Sequence, residues 1–176
     1  MRRPIAALSL AALTLLAPVL PAAVRAQEEP QKVLESASTG LNLAAIEAKV
    51  AQGDAAASAG KLAQAKADYD QARVGAQNLA RFYRNLSGSF RGLDARIPRE
   101  MDDKGRQALE LQANIDLRLA AVLRRLNQPE VAVPLLVEVV QIMTPTSTQG
   151  QKAYQTLVEL GFVTTPYAGA NAPAGS

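Results

Sequence analysis

Cysteine, histidine and tryptophan do not occur in the 176-residue chain. Without cysteine there is no disulfide framework, no thiol nucleophile and no cysteine at a cleavage site to carry a lipid anchor. Without histidine the commonest general base and the commonest metal ligand are missing. Aromatic residues make up only 4% of the chain, so a core must be filled by aliphatic side chains and alanine. No Gly-rich phosphate loop, zinc-ligand spacing or nucleophile motif is present either. These absences exclude most catalytic constellations. The expectation is a binding protein rather than an enzyme, with no cofactor and no metal.

What is present begins with a leader. Arg2 and Arg3 form a charged start, Ile5 to Leu20 an apolar run, and Val24-Arg25-Ala26 a small-residue cleavage pattern. Together they read as a signal peptide over residues 1–26. The apolar run carries Pro18 and is short for a spanning helix, so cleavage after Ala26 is expected, with a retained anchor as the alternative. Arg2-Arg3 lacks the flanking residues of a twin-arginine signal, which favours general secretory export. The expected compartment is the periplasm, or the thylakoid lumen in a photosynthetic bacterium.

The whole chain has 19 basic and 16 acidic residues, but Arg2, Arg3 and Arg25 fall in the leader. The remainder carries sixteen of each and is neutral. Phosphate-dominated binding of nucleic acid is therefore not expected, and after leader removal no integral membrane segment remains.

Periodicity predicts an all-α domain of about five helices over 39–163, after a flexible lead-in at 27–38 and before a disordered tail at 164–176 rich in Ala, Gly and Pro. Thr39 is the candidate N-cap of the first helix, with Leu43, Ile46, Val50 and Ala57 on one face. From Leu62 the stripe Ala65, Tyr69, Ala72, Ala76, Leu79, Tyr83, Leu86 runs for about seven turns and ends at Ser87-Gly88. Gly88 to Met101 reads as a loop, and Asp102 or Asp103 as the cap of the next helix, with Ala108, Leu111, Ile115, Leu119, Val122 and Leu126 inward. Asn127 suits a left-handed helix end and Pro129 a first turn. Pro129 to Met143 is valine-rich and could form a strand, but Pro134 favours a helix kinked at that residue. Thr148 and Gln151 form a candidate capping box for a last helix that runs to Leu160 and is stopped by Gly161.

Two segments share one set of offsets. Gly53, Gly60, Ala65, Tyr69 and Ala72 are matched 67 residues later by Ala120, Asn127, Ala132, Leu136 and Val139. Ala65-x3-Tyr69-x2-Ala72 resembles the second helix of a tetratricopeptide repeat. The likeness covers roughly residues 46–78 and 113–146, and the second copy departs at Leu136 and Val139. It implies antiparallel helical hairpins stacked in a right-handed superhelix, with Gly53, Gly60, Ala65, Tyr69, Ala72, Ala120, Ala132 and Leu136 packing the repeats. An ordinary small helical bundle is the alternative. Arg81 to Glu100 is also similar to a stretch in uncharacterised exported proteins of cyanobacteria, a likeness that implies no activity.

Eleven basic residues lie between 73 and 125 against six acidic ones, so the centre of a neutral chain is positive. Arg81, Phe82, Arg84, Phe90, Arg91, Arg96 and Arg99 are the candidate partner-binding residues, because arginine forks grip carboxylates and aromatics give apolar contact. The expected partner is a protein or peptide segment, exported or membrane-associated. A small anionic ligand, lipid headgroup or cell-wall fragment is the alternative, and a solvated face with internal ion pairs the structural one. Asp102-Asp103 reads as a cap and Asp68/Asp70 as helix surface rather than as metal or acid/base pairs. Asn85-Leu86-Ser87 fits the glycosylation triplet, which a bacterial-type signal makes irrelevant. The leader assignment predicts that protein recovered from the exported compartment begins at Gln27; intact mass spectrometry checks this, and a chain retaining residues 1–26 contradicts it.

Overall fold

Short left-handed turns and runs of alanine fold the chain into successive antiparallel helices. The computed structural model describes residues 42–167 and Gly169. The leader, the lead-in, Thr39 and most of the tail lie outside the described residues. Within them the chain is all-α: α1 Leu43–Ser58, α2 Leu62–Ser89, α3 Arg96–Arg125, α4 Pro129–Met143 and α5 Thr148–Glu159. No strand occurs among the described residues.

Each helix packs on the next in sequence, α1 touches α3, and α3 touches α5. The inward stripe of α2 is buried as its periodicity requires, from Ala65 through Tyr69, Ala72, Ala76 and Leu79 to Tyr83. Ala108, Ile115, Leu119 and Val122 of α3 are buried in the same core. Alanine at so many of these positions lets the helix axes approach closely, which compensates for the scarcity of large side chains.

The α1–α2 and α3–α4 connections are the same structure. Gly60 and Asn127 both have positive φ, 73° and 59°. The Lys61 and Gln128 amides reach back to the Ala56 and Leu123 carbonyls, at 2.9 Å in each case. This is the Schellman closure, in which one left-handed residue satisfies carbonyls the helix end would leave unpaired. Gly161 ends α5 in the same way, with the Phe162 amide 3.1 Å from the Leu157 carbonyl.

The glycines of the repeat-like offsets have different reasons. A Cβ on Gly53 would stand 2.6 Å from Cε1 of Tyr69, so the tyrosine ring occupies the space that glycine leaves on α1. Gly60 meets nothing within 4 Å; it serves the turn, not the packing expected of it. Ala65, Ala72, Ala120, Ala132 and Leu136 are all buried.

Several expected boundaries are corrected. Asn42 caps α1, its side chain accepting from the Ala44 amide at 2.8 Å. The connection between α2 and α3 is six residues, not the loop of 88–101, because α3 begins at Arg96 and takes Pro98 into its first turn, where no amide partner is required. Asp102 and Asp103 therefore cap nothing. Asp94 binds the exposed Arg96 amide at 2.9 Å instead. Asp102 accepts from the buried Ser87 hydroxyl at 2.6 Å, and Asp103 pairs with Arg106. The α5 cap sits one residue earlier than the Thr148 box: Ser147 Oγ accepts from the Gly150 amide at 2.9 Å. Pro129 to Met143 is a helix that continues through Pro134. Tyr154 of α5 donates to the Thr165 carbonyl at 2.8 Å and meets Tyr167 edge-on, so residues that composition assigns to the tail fold back on the last helix.

The two glycine roles predict unequal costs. Gly53→Ala should lower stability by about 1–3 kcal/mol through overpacking against Tyr69. Gly60→Asn should cost under about 1 kcal/mol, since asparagine holds the equivalent turn at 127. Urea unfolding followed by circular dichroism measures both; equal losses would mean that the Tyr69 contact is not tight.

Candidate functional site

Along α2, steps of three and four place Gln77, Ala80, Arg81 and Arg84 on one face. The antiparallel hairpins make α2 and α4 run parallel, both packed on α3 but with no pair of their Cα atoms within 8 Å. The gap is an open groove of about 710 Å³. Arg81 and Arg84 stand on one wall, Val133, Val137 and Ile142 of α4 on the other, with Leu109 and Gln112 of α3 between them. A second depression of about 380 Å³ shares Ala80, Arg84 and Leu109 with it and continues past Met101 to Arg91 and Arg106. The two form one trough beside the end of α2.

One end of the groove is held by charge. Glu138 of α4 accepts from Gln112 of α3 at 2.7 Å and Gln77 of α2 at 3.3 Å, and pairs with Arg73 of α2. Arg73 also donates through Nε to Asp116 of α3 at 2.6 Å. Asp116 is 0% exposed, and its second oxygen, Oδ2, has no hydrogen-bond partner. Burial pushes its carboxyl up to about 6; the Arg73 guanidinium pulls the other way but does not outweigh the lost hydration, and Glu138 adds to the rise.

Arg81, Arg84, Arg91 and Arg99 are exposed, and their side chains make neither an ion pair nor a hydrogen bond within the described residues. Their charge is available to something outside the fold. Arg96 differs, since Asp94 binds its guanidinium at 2.7 Å.

Of the seven expected binding residues, the structure gathers Arg81, Arg84 and Arg91 in the trough. Phe82 stands 44% exposed on another face of α2, edge-on to Tyr83 with ring centroids 5.4 Å apart. Phe90, Arg96 and Arg99 lie at the α2–α3 connection and in the first turns of α3. The apolar walls are therefore aliphatic, not aromatic. Sequence reasoning missed α4 as a wall, although its surplus of valine, more than one helix face can bury, leaves Val131 and Val137 exposed. It also placed Asp68 on the surface; the residue is buried, 3.4 Å from Lys49 of α1.

Among the described residues no helix is long and apolar enough to cross a membrane. No group of three or more acidic side chains there is placed to hold a metal ion. The fold and groove thus describe an all-α chain with a cationic, aliphatic-walled trough. No protein-family model matches the chain, and neither a curated protein nor a solved structure matches it.

The raised carboxyl makes stability depend on pH. A carboxyl whose folded value lies above its usual one binds a proton on folding, so its stabilisation is present below about 4 and is lost as pH climbs through about 6. Relative to Asp116→Asn, the native chain should lose up to about 3 kcal/mol of stability between pH 4 and pH 7. Urea midpoints of the two proteins across that range test it, and a constant difference would show an unperturbed Asp116.

Proposed function

We propose that this is an exported, non-enzymatic helical scaffold whose trough along α2 holds a segment of another exported or membrane protein. The observation that carries the reading is the pairing of unpartnered arginines, Arg81 and Arg84, with the aliphatic wall of Val133, Val137 and Ile142 across an open groove. A segment with carboxylates on one side and aliphatic residues on the other satisfies both walls. Two arginines three residues apart on a helix stand about 5–6 Å from each other, a spacing that suits successive carboxylates of a bound segment. An open groove between two helices is also the shape that accepts an extended or helical peptide rather than enclosing a small molecule.

In this reading the α1–α2 and α3–α4 hairpins are tetratricopeptide-like units. Support comes from the shared turn at Gly60 and Asn127 and from the Gly53–Tyr69 contact. Export rests on residues 1–26, and the absence of an enzymatic role on a residue inventory without histidine or cysteine.

An Arg81→Ala/Arg84→Ala/Arg91→Ala protein should keep its helicity but lose capture of a specific partner from envelope extract. Affinity capture with native and variant baits in parallel measures this. Equal recovery of the same partner by both baits rejects the trough as the binding surface.

A further inference from the structure

The α2–α3 hairpin is longer than the helices beside it. α2 and α3 have 28 and 30 residues, whereas α1 and α4 have 16 and 15. Both short helices start or finish at the Gly60 and Asn127 turns, opposite the α2–α3 connection. The hairpin therefore outruns them by roughly a dozen residues, or about 18 Å at 1.5 Å per residue. At its end the chain turns through Gly92, φ 84°, with the Leu93 and Asp94 amides both bonded to the Phe90 carbonyl at 3.1 and 3.3 Å. Leu93, at the apex of this hydrogen-bonded turn, is 80% exposed, and none of the described residues covers it. Arg91 and Arg99 flank the apex without an acidic partner among the described residues, while Asp94 neutralises Arg96.

We infer that this tip is a docking point for an anionic lipid surface, with Leu93 entering the acyl boundary and Arg91 and Arg99 resting on the headgroups. An apolar side chain held outward on a hydrogen-bonded turn between cations has the chemistry of an interfacial anchor. Because the hairpin projects past α1 and α4, the tip reaches a flat surface without displacing them. Arg91 borders both the trough and the tip, whereas Arg81 and Arg84 lie about one and a half to two helical turns back from the end of α2, so the tip can engage a bilayer apart from those two arginines.

The chain has no tryptophan, which makes Leu93→Trp a single fluorescent reporter. Vesicles of equal phosphatidylglycerol and phosphatidylcholine should shift its emission to the blue, and pure phosphatidylcholine should not. High salt should reverse the shift. Adding Arg91→Ala and Arg99→Ala should weaken vesicle binding about 25-fold, a factor of about five for each charge. Val74→Trp, on an exposed position of the α2 body, should not shift. Arg81→Ala/Arg84→Ala should leave the Leu93→Trp signal intact, which keeps this test independent of the trough. No shift with anionic vesicles overturns the inference, as does an equal shift from Val74→Trp. A shift caused only by the captured protein partner assigns the tip to protein contact and also overturns it.

Discussion

Arg73 is the side chain on which three helices converge. From α2 it engages Asp116 on α3 and Glu138 on α4, bridging two helices whose backbones do not meet. A guanidinium suits this position because its planar fork presents donors in two directions and keeps its charge at any physiological pH. The arrangement also binds the site to the core. If Arg73 were lost, Asp116 would be a buried carboxylate with nothing to balance it, and of the polar links between α2 and α4 only the Gln77–Glu138 bond at 3.3 Å would remain. Such buried pairs contribute more to the definition of one geometry than to net stability, since dehydrating the ions offsets much of their attraction.

The rest of the fold is economical in side-chain volume. Alanine supplies many of the buried positions of α2, and Tyr69 fills the space beside Gly53, with its ring on that glycine and its hydroxyl donating to Asp54 at 2.6 Å. Arg118 of α3 donates to the same carboxylate oxygen at 3.1 Å, so α1, α2 and α3 meet at a second polar junction. Burial and the bond to Asp54 both push the Tyr69 hydroxyl above its ordinary range, which keeps it a donor. The two junctions stand at different levels of the bundle and fix the register of α2 against its partners.

Much of this was legible in sequence, for reasons particular to each element. The stripe from Ala65 to Tyr83 is long enough for its period to be unambiguous, and Asn127 before Pro129 signals a helix end by backbone geometry alone. The α2–α3 connection reads as too long because Gly88, Gly92 and Pro98 each suggest irregular structure. Gly88 instead continues α2, and Pro98 is harmless in the first turn of α3. The arginines of the trough showed in the charge distribution. Their apolar counterpart did not, because which valines of α4 face α2 is decided by the crossing of two helices on a third, and no local pattern encodes that. Asp68 and Asp116 were likewise hidden: a carboxylate in a helix reads as surface unless the residue opposite is known.

The unequal helix lengths have a mechanical consequence. Beyond the reach of α1 and α4, the α2–α3 pair has one packed face apiece, closed by Tyr83, Met101 and the Ser87–Asp102 bond. Local opening free energy follows the density of such contacts, so amide protons of this outer segment exchange with solvent sooner than those around Ile115 and Leu119, and without global unfolding. The hairpin is a lever with a soft outer end and a clamped base, the clamp being Arg73. Force or binding at the outer end is thereby absorbed by local opening before it reaches the junctions that hold the bundle in register.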